Sequence, residues 1–223
     1  MKLAIFGAAG RTGIPLVQQA LEGGNDVVAL VRTPSKLAIG NERLTVVQGD
    51  VANLADVERV VQGADAVLSV LGHVKDSEPD ILTKAIRNII TAMDKYDVKR
   101  LVSLSGASVY APQDKPKLVN RLIKFFTQAT TGSLLKDAEQ HFTALQNSDV
   151  DWVVVRGPIL NEGPHTGTYR VGWTGVNTGI RVSRADIADF MLKQVTDTTY
   201  LRQAPLISVR KVTGRAQGAI PVK

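Results

Sequence analysis

Lys2-Leu3-Ala4-Ile5-Phe6-Gly7-Ala8-Ala9-Gly10-Arg11-Thr12-Gly13 stands at the start of the chain and decides its fold. Residues 2–6 read as a short buried strand, and residues 14–21 follow with apolar groups at helical spacing. Between them lies a turn almost without side chains. Such a turn lets backbone N–H groups and the helix N-terminus approach a pyrophosphate, and its last glycine lets the helix lie close on the strand. A glycine triplet alone says little, because glycine turns follow many buried strands. Its place between a strand and a helix makes it a dinucleotide-binding fingerprint, with Gly7, Ala9, Gly10, Arg11, Thr12 and Gly13 as expected contacts.

Outward from this unit, strand and helix patterns alternate with short connections. Strands are expected at 26–31, 44–48, 66–71, 99–104 and 151–155, and helices at 54–61, 79–95, 133–146 and 184–195. Residues 111–132 are interrupted by prolines, then carry Leu118, Val119, Leu122, Ile123, Phe125 and Phe126 at the spacing of a helix packed on the body. Ser183, with Asp186 three residues later, has the form of a capping box, and residues 206–209 supply a closing strand. Runs such as Val27-Val28-Ala29-Leu30-Val31 lack polar alternation, as strands buried on both faces require. The expected fold is α/β: a doubly wound parallel sheet (Rossmann fold) with a small irregular C-terminal cap. It is read as one domain over 1–223, with cap segments at 111–132 and 157–180 and a frayed tail from about residue 213.

The second strand selects the nucleotide. An NAD site places Asp or Glu there to hold the ribose 2′-hydroxyl, whereas this strand ends Val31-Arg32-Thr33-Pro34-Ser35-Lys36. Arginine cannot accept that hydrogen bond but can grip a 2′-phosphate as a planar fork, so NADP (NADPH) is the expected cofactor. Arg11 and Lys36 either add to that charge or are solvated loop cations. After the third strand, Gly49-Asp50-Val51 brings a carboxylate to the expected adenine edge, or an ordinary Asp at a helix approach.

Composition narrows the function classes. The 223 residues are 44% hydrophobic, enough for a proper core. Without cysteine there is no disulfide framework, thiolate metal site or cysteine nucleophile, and His73, His141 and His165 are too scattered to suggest a metal centre, so no metal is expected. The formal charge of +6 is uneven: five basic residues and no acid follow Asp197, leaving 22 basic against 21 acidic residues before it. That distribution reads as a solvated tail rather than a nucleic-acid face. Apolar stretches are strand-length and no signal peptide is evident, which places the protein in the cytoplasm with no membrane partner.

Gly7 to Gly13, Arg32, Gly49-Asp50-Val51 and Leu71-Gly72 resemble, in order, the nucleotide contacts of the atypical short-chain dehydrogenase/reductase group with NAD(P)H-binding, NmrA-like domains. Within it the chain is similar to the NADPH-dependent flavin reductases of the biliverdin reductase B type. Residues 79–93, 105–112 and 166–169, Arg181-Val182-Ser183, Asp186 and Phe190-Met191-Leu192 extend the likeness to about Leu206. The resemblance implies a cytosolic reductase passing hydride from NADPH to flavins or open tetrapyrroles, with Leu71, Gly72 and Lys136 among the cofactor contacts and Ser105 at the nicotinamide. Two departures stand out. Ile159 takes the place of the subfamily's histidine after the sixth strand. Lys136-Asp137-Ala138-Glu139 resembles the lysine segment of short-chain enzymes, yet Gly132 occupies the place of the tyrosine.

That tyrosine is the acid that protonates a carbonyl oxygen, so its loss disfavours carbonyl reduction. An oxidised isoalloxazine is itself an electron sink and asks the protein for stacking geometry, with solvent supplying the proton. Ser105 is expected either to orient the nicotinamide or acceptor or to satisfy backbone at a strand end. His73, on the exit loop of the fourth strand, either meets substrate or is only solvated. These two are the candidate catalytic residues. Tyr110 is read as an aromatic over the cofactor cleft, His141 as structural, His165 as a cap-loop residue without a role and Trp152 as core. A small planar acceptor, with FMN or FAD among the substrates, would sit in a cleft roofed by 111–132 and 161–173, in a monomer or weak homodimer. The rival reading is a non-catalytic NADP(H) sensor of the NmrA type.

Overall fold

In a computed structural model of the chain, which describes residues 1–74, 77–107, 109–116 and 118–209, with 118–131 as backbone only, β1 (Lys2–Phe6) lies within an eight-stranded sheet. The elements follow as α1 (Gly13–Glu22), β2 (Asp26–Val31), β3 (Leu44–Gln48), α2 (Leu54–Val61), β4 (Ala66–Ser69), α3 (Ile81–Lys95) and β5 (Arg100–Gly106). After these come α4 (Leu118–Gln146), β6 (Asp151–Gly157), β7 (Ile159–Asn161), β8 (Tyr169–Gly172), β9 (Arg181–Ser183), α5 (Arg184–Lys193) and β10 (Leu206–Val209). Strand order is β3-β2-β1-β4-β5-β6-β10-β8, parallel except for β8 against β10. The order reverses between β1 and β4. A crevice opens there at the carboxyl ends of the strands, where ligands bind in open α/β sheets.

The missing polar alternation has its cause in two cores. Leu3 and Ile5 face one side of the sheet with Leu16, Val17 and Ile187, while Ala4 and Phe6 face the other with Val57, Ile86 and Ile89. All four β1 residues are at most 1% exposed. Short caps fix the helix starts: Asn53 Oδ1 accepts from Ala55 N–H at 3.0 Å, and Ser183 Oγ accepts from Asp186 N–H at 3.0 Å. The capping box at Ser183 is only half made. The Asp186 carboxylate accepts instead from Thr166 N–H, Thr166 Oγ1 and Gly167 N–H, tying the 163–168 loop to α5.

The structure corrects several boundaries: β4 ends at Ser69, α3 begins at Ile81 and α5 ends at Lys193, each two residues inside the expected range. The helix expected at 133–146 begins at Leu118, so α4 runs for 29 residues through Gly132, a residue that costs a helix only about 1 kcal/mol. β5 and β6 continue to Gly106 and Gly157, beyond the expected ends. The C-terminal region, irregular in outline, carries three short strands: β8 extends the main sheet beyond β10, and β7 pairs with β9. The apolar side chains of 118–126 and the tail from 213 lie outside the described residues. Among the described residues no helix is long and apolar enough to cross a membrane.

Candidate active site

The glycines after β1 are demanded by their neighbours. Gly7 has φ +83°, and a Cβ on it would stand 2.9 Å from the Val70 carbonyl at the exit of β4. A Cβ on Gly13 would stand 2.1 Å from Gly7 O and 2.5 Å from Ala8 O, so α1 can begin only where no side chain separates it from the loop. The turn is closed by Gly10 N–H donating to Gly7 O at 3.0 Å. The first turn of α1 contains no acid and no side-chain cap; Ile14 N–H is already bonded to Gly10 O at 2.9 Å, and Pro15 has no N–H to offer.

These residues form one end of a cleft of about 700 Å³. Gly7, Ala9, Gly10, Arg32, Asp50, Val51, Leu71 and Gly72 all line it, together with Lys36. Arg32 and Lys36 are exposed and, among the described residues, neither has an acidic partner. Asp50 is held in a local turn, its Oδ1 accepting from Ala52 N–H at 2.8 Å. A cradle of glycines, with an arginine that has no acidic partner among the described residues at its rim, fits a dinucleotide. Thr12 and Gly13 are inside the loop rather than on the cleft, and Arg11 is exposed, 3.8 Å from Glu162, away from its lining.

A second cavity of about 300 Å³ shares Leu71 and Gly72 with the cleft and reaches the carboxyl ends of β5 and β6. Ser69, Ser103 and Ser105 bring hydroxyls to it, and His73 and His141 bring imidazoles. Apolar walls come from Leu82 and Ile86 on α3, Leu134 and Ala138 on α4, and Leu160. The two candidate catalytic residues, Ser105 and His73, therefore share one cavity, next to the nucleotide cleft. Lys136 does not join them: it is exposed and lines neither cavity, because the inward stripe of α4 runs through 134, 138 and 141 at helical spacing. The roof also differs from expectation. Residues 134–141 and 157–160 form it, while 161–173 line neither cavity, and Tyr110 is 56% exposed and away from both.

Two buried polar groups on α4 were not singled out as site residues by sequence. Asp137, 2% exposed, accepts from Leu82 N–H and Thr83 N–H at 2.9 Å each and from Thr83 Oγ1, capping α3 in place of the adjacent Asp80. Its Oδ2 lies 3.0 Å from His73 Nε2. One helical turn on, His141 is 3.1 Å from Ser103 Oγ, and burial, opposed in part by the Asp137 charge, lowers its pKa to about 4. Neutral His141 is thus a lining residue and not merely structural. The i, i+4 spacing of Asp137 and His141 was the available signal. Trp152 is core, 4% exposed and edge-on to Phe142, and His165 sits 3.4 Å from Asp189, outside both cavities.

Arg156 was also unforeseen, although a lone charge inside Val153-Val154-Val155-Arg156-Gly157 marks it. It is fully buried and forks onto Asp114, Nη1 to Oδ2 at 2.8 Å and Nη2 to Oδ1 at 2.7 Å, and donates to Val109 O and Ala204 O. Asp114 also accepts from Ala111 N–H and Thr174 N–H. Burial alone would raise the Asp114 pKa; Arg156 and these N–H groups hold it below the usual carboxylate value. The pair fastens the loop after β5 and the turn after β8 to β6.

With this geometry in view, the match to known proteins is specific. Residues 7–198 match the family described as NAD(P)H-binding. The chain belongs to that family. The family match makes the chain NAD(P)H-binding, with a nicotinamide cofactor. The chain is similar to YwnB of Bacillus subtilis, 24% identical over 209 residues that cover 87% of this chain and 92% of that one. Its fold is similar to the anaerobillin reductase ChuY of Escherichia coli O157:H7, with TM-score 0.77, 19% identity, and 96% and 100% of the two chains covered. It is also similar to a short-chain dehydrogenase/reductase of Veillonella parvula in complex with NADP, with TM-score 0.76, 18% identity, and 93% and 94% covered.

Proposed function

We propose that this chain is an NADPH-dependent reductase that passes hydride to a planar conjugated acceptor of the flavin type. The observation that carries the reading is the junction of two unlike cavities at Leu71-Gly72: one a glycine cradle with Arg32 at its rim, the other apolar-walled and studded with hydroxyls. Bound in the first, NADPH supplies the hydride. The N–H groups of the 7–13 loop hold the pyrophosphate, and Arg32 grips the 2′-phosphate. Ser105, at the carboxyl end of β5, orients the ring that reaches the second cavity. Leu134, Ala138 and Leu160 exclude water from the acceptor face and offer it a flat apolar wall.

The α4 face toward the cavity carries Leu134 and Ala138 and no tyrosine, which suits an acceptor that is itself an electron sink and also suits a sensor that never turns over. NADPH consumption separates the two. Acceptor-dependent loss of NADPH with FMN, a quinone or an open tetrapyrrole is expected. Tight binding of oxidised and reduced cofactor with no consumption across all three acceptors would overturn the reading in favour of the sensor.

A further inference from the structure

The floor of the second cavity is a row of hydroxyls. Ser69 on β4 and Ser103 on β5 are register partners on neighbouring parallel strands, so their side chains stand side by side on one face of the sheet. Ser105, two residues along β5, belongs to the same face. All three line the cavity, and Ser69 and Ser103 are buried there. Ser103 Oγ lies 3.1 Å from His141 Nε2, whereas among the described residues the Ser69 hydroxyl has no hydrogen-bond partner. A polar group closed in this way is satisfied by what enters the cavity.

The walls set size and charge. At about 300 Å³ the cavity is at the lower limit of ligand pockets, which run from ~300 to ~1,000 Å³. That volume suits a compact fused ring system rather than a chain of linked pyrroles. No Lys, Arg, Asp or Glu is among its described lining residues. Lys136 is exposed and off the cavity, and the Arg156 guanidinium is closed onto Asp114. His141 adds polarity without charge near pH 7, since burial lowers its pKa to about 4. Behind His73 stands the buried Asp137 carboxylate, and its charge is felt at His141. An anion brought into this space would meet desolvation and repulsion.

We infer that the second cavity takes an uncharged, compact fused ring bearing carbonyls, the chemistry shared by small quinones and the bare isoalloxazine, and excludes carboxylate-bearing acceptors such as open tetrapyrroles. Only its turnover rests on the reductase reading; the binding preference does not. The Ser69 hydroxyl donates to a carbonyl oxygen of the ring, and His141 is a positioning residue that holds Ser103 beside it. A charged side arm is admitted only where it reaches solvent past Leu134, which is partly exposed. With a quinone the step balances: the ring gains hydride from NADPH and one proton from solvent, giving the hydroquinone and NADP⁺.

Equilibrium dialysis of the NADP⁺-loaded protein reads the preference without turnover. A methylnaphthoquinone is expected to bind ~10²-fold or more tightly than the same ring bearing a sulfonate. Equal binding of the two, or tighter binding of an open tetrapyrrole than of the quinone, would overturn the inference. Leu134→Lys should tighten the sulfonate about fivefold and leave the neutral ring unchanged. No gain for the sulfonate would overturn charge as the cause. In turnover, Ser69→Ala should raise KM for the quinone about fivefold at unchanged KM for NADPH, and Ser69→Thr should restore it. An unchanged quinone KM in Ser69→Ala would overturn the hydroxyl contact. A parent protein that reduces no acceptor would instead sink the reductase reading, leaving the dialysis to decide on the ring.

Discussion

The nucleotide cleft and the acceptor cavity lie side by side on the sheet but are made of different material. The cleft is largely backbone: one loop of glycines and the strand ends beside it, all drawn from the first half of the chain. The cavity is side chain, assembled from β4, β5, α3, α4 and the turn after β6; beside it Asp137 reaches across to cap α3, and the buried Arg156–Asp114 fork pins the loop after β5. A site made of backbone fails through a single Cβ. A site made of side chains fails through a lost partner.

The largest effect should come from Gly13→Val. Its Cβ would stand 2.1 Å from a carbonyl oxygen, so the loop must open and nucleotide binding should vanish in a fluorescence titration. Gly72→Ala sharpens the point, because a Cβ there meets nothing within 4 Å and the melting temperature of the free protein should hardly change. On the other side of the comparison, Asp114→Ala strands a fully buried guanidinium. Removing one partner of such a pair costs about 3–5 kcal/mol, which chemical denaturation should show as an earlier midpoint.

This contrast also explains what could be read from the chain before folding. Gly7, Gly10 and Gly13 announce themselves because their constraint is local and their order in sequence is their order in space. Arg32 follows because it ends the next strand. Asp137 and His141 gain their meaning only from α3 and β5, 54 and 38 residues away. Lys136 was chosen from a linear motif, and a helix turns by 100° per residue, so an offset of one or two positions carries a side chain out of the site. The run through Gly132 was missed for a related reason: glycine is a stop signal locally, and a long helix with a packed face overrides it.

A smaller effect should separate the two sites by pH. His141 is held neutral in the folded protein, with its pKa lowered from 6.5 to about 4, and burial is the main cause. Its contribution to stability is fully present above pH 6.5 and is lost as pH falls toward 4, because the unfolded chain binds the proton first. The span corresponds to about 3 kcal/mol, and His141→Phe should flatten that part of the stability profile measured by urea titration between pH 4 and 7. The smallest effect belongs to Arg32→Ala. Because Arg32 is solvent-exposed, its fork onto phosphate should contribute about tenfold in NADPH affinity, with NADH affinity unchanged by calorimetry.

The account as a whole turns on where the two rings meet. A crystal structure with NADP and a soaked flavin tests that most directly. The expected result is the nicotinamide beside Ser105, the adenosine 2′-phosphate on Arg32, and the isoalloxazine between Leu71-Gly72 and the Leu134–Ala138 face, within hydride distance of the nicotinamide and touching His73. A flavin bound away from that cavity, or a nicotinamide turned out of it with the cavity closed, would contradict the account.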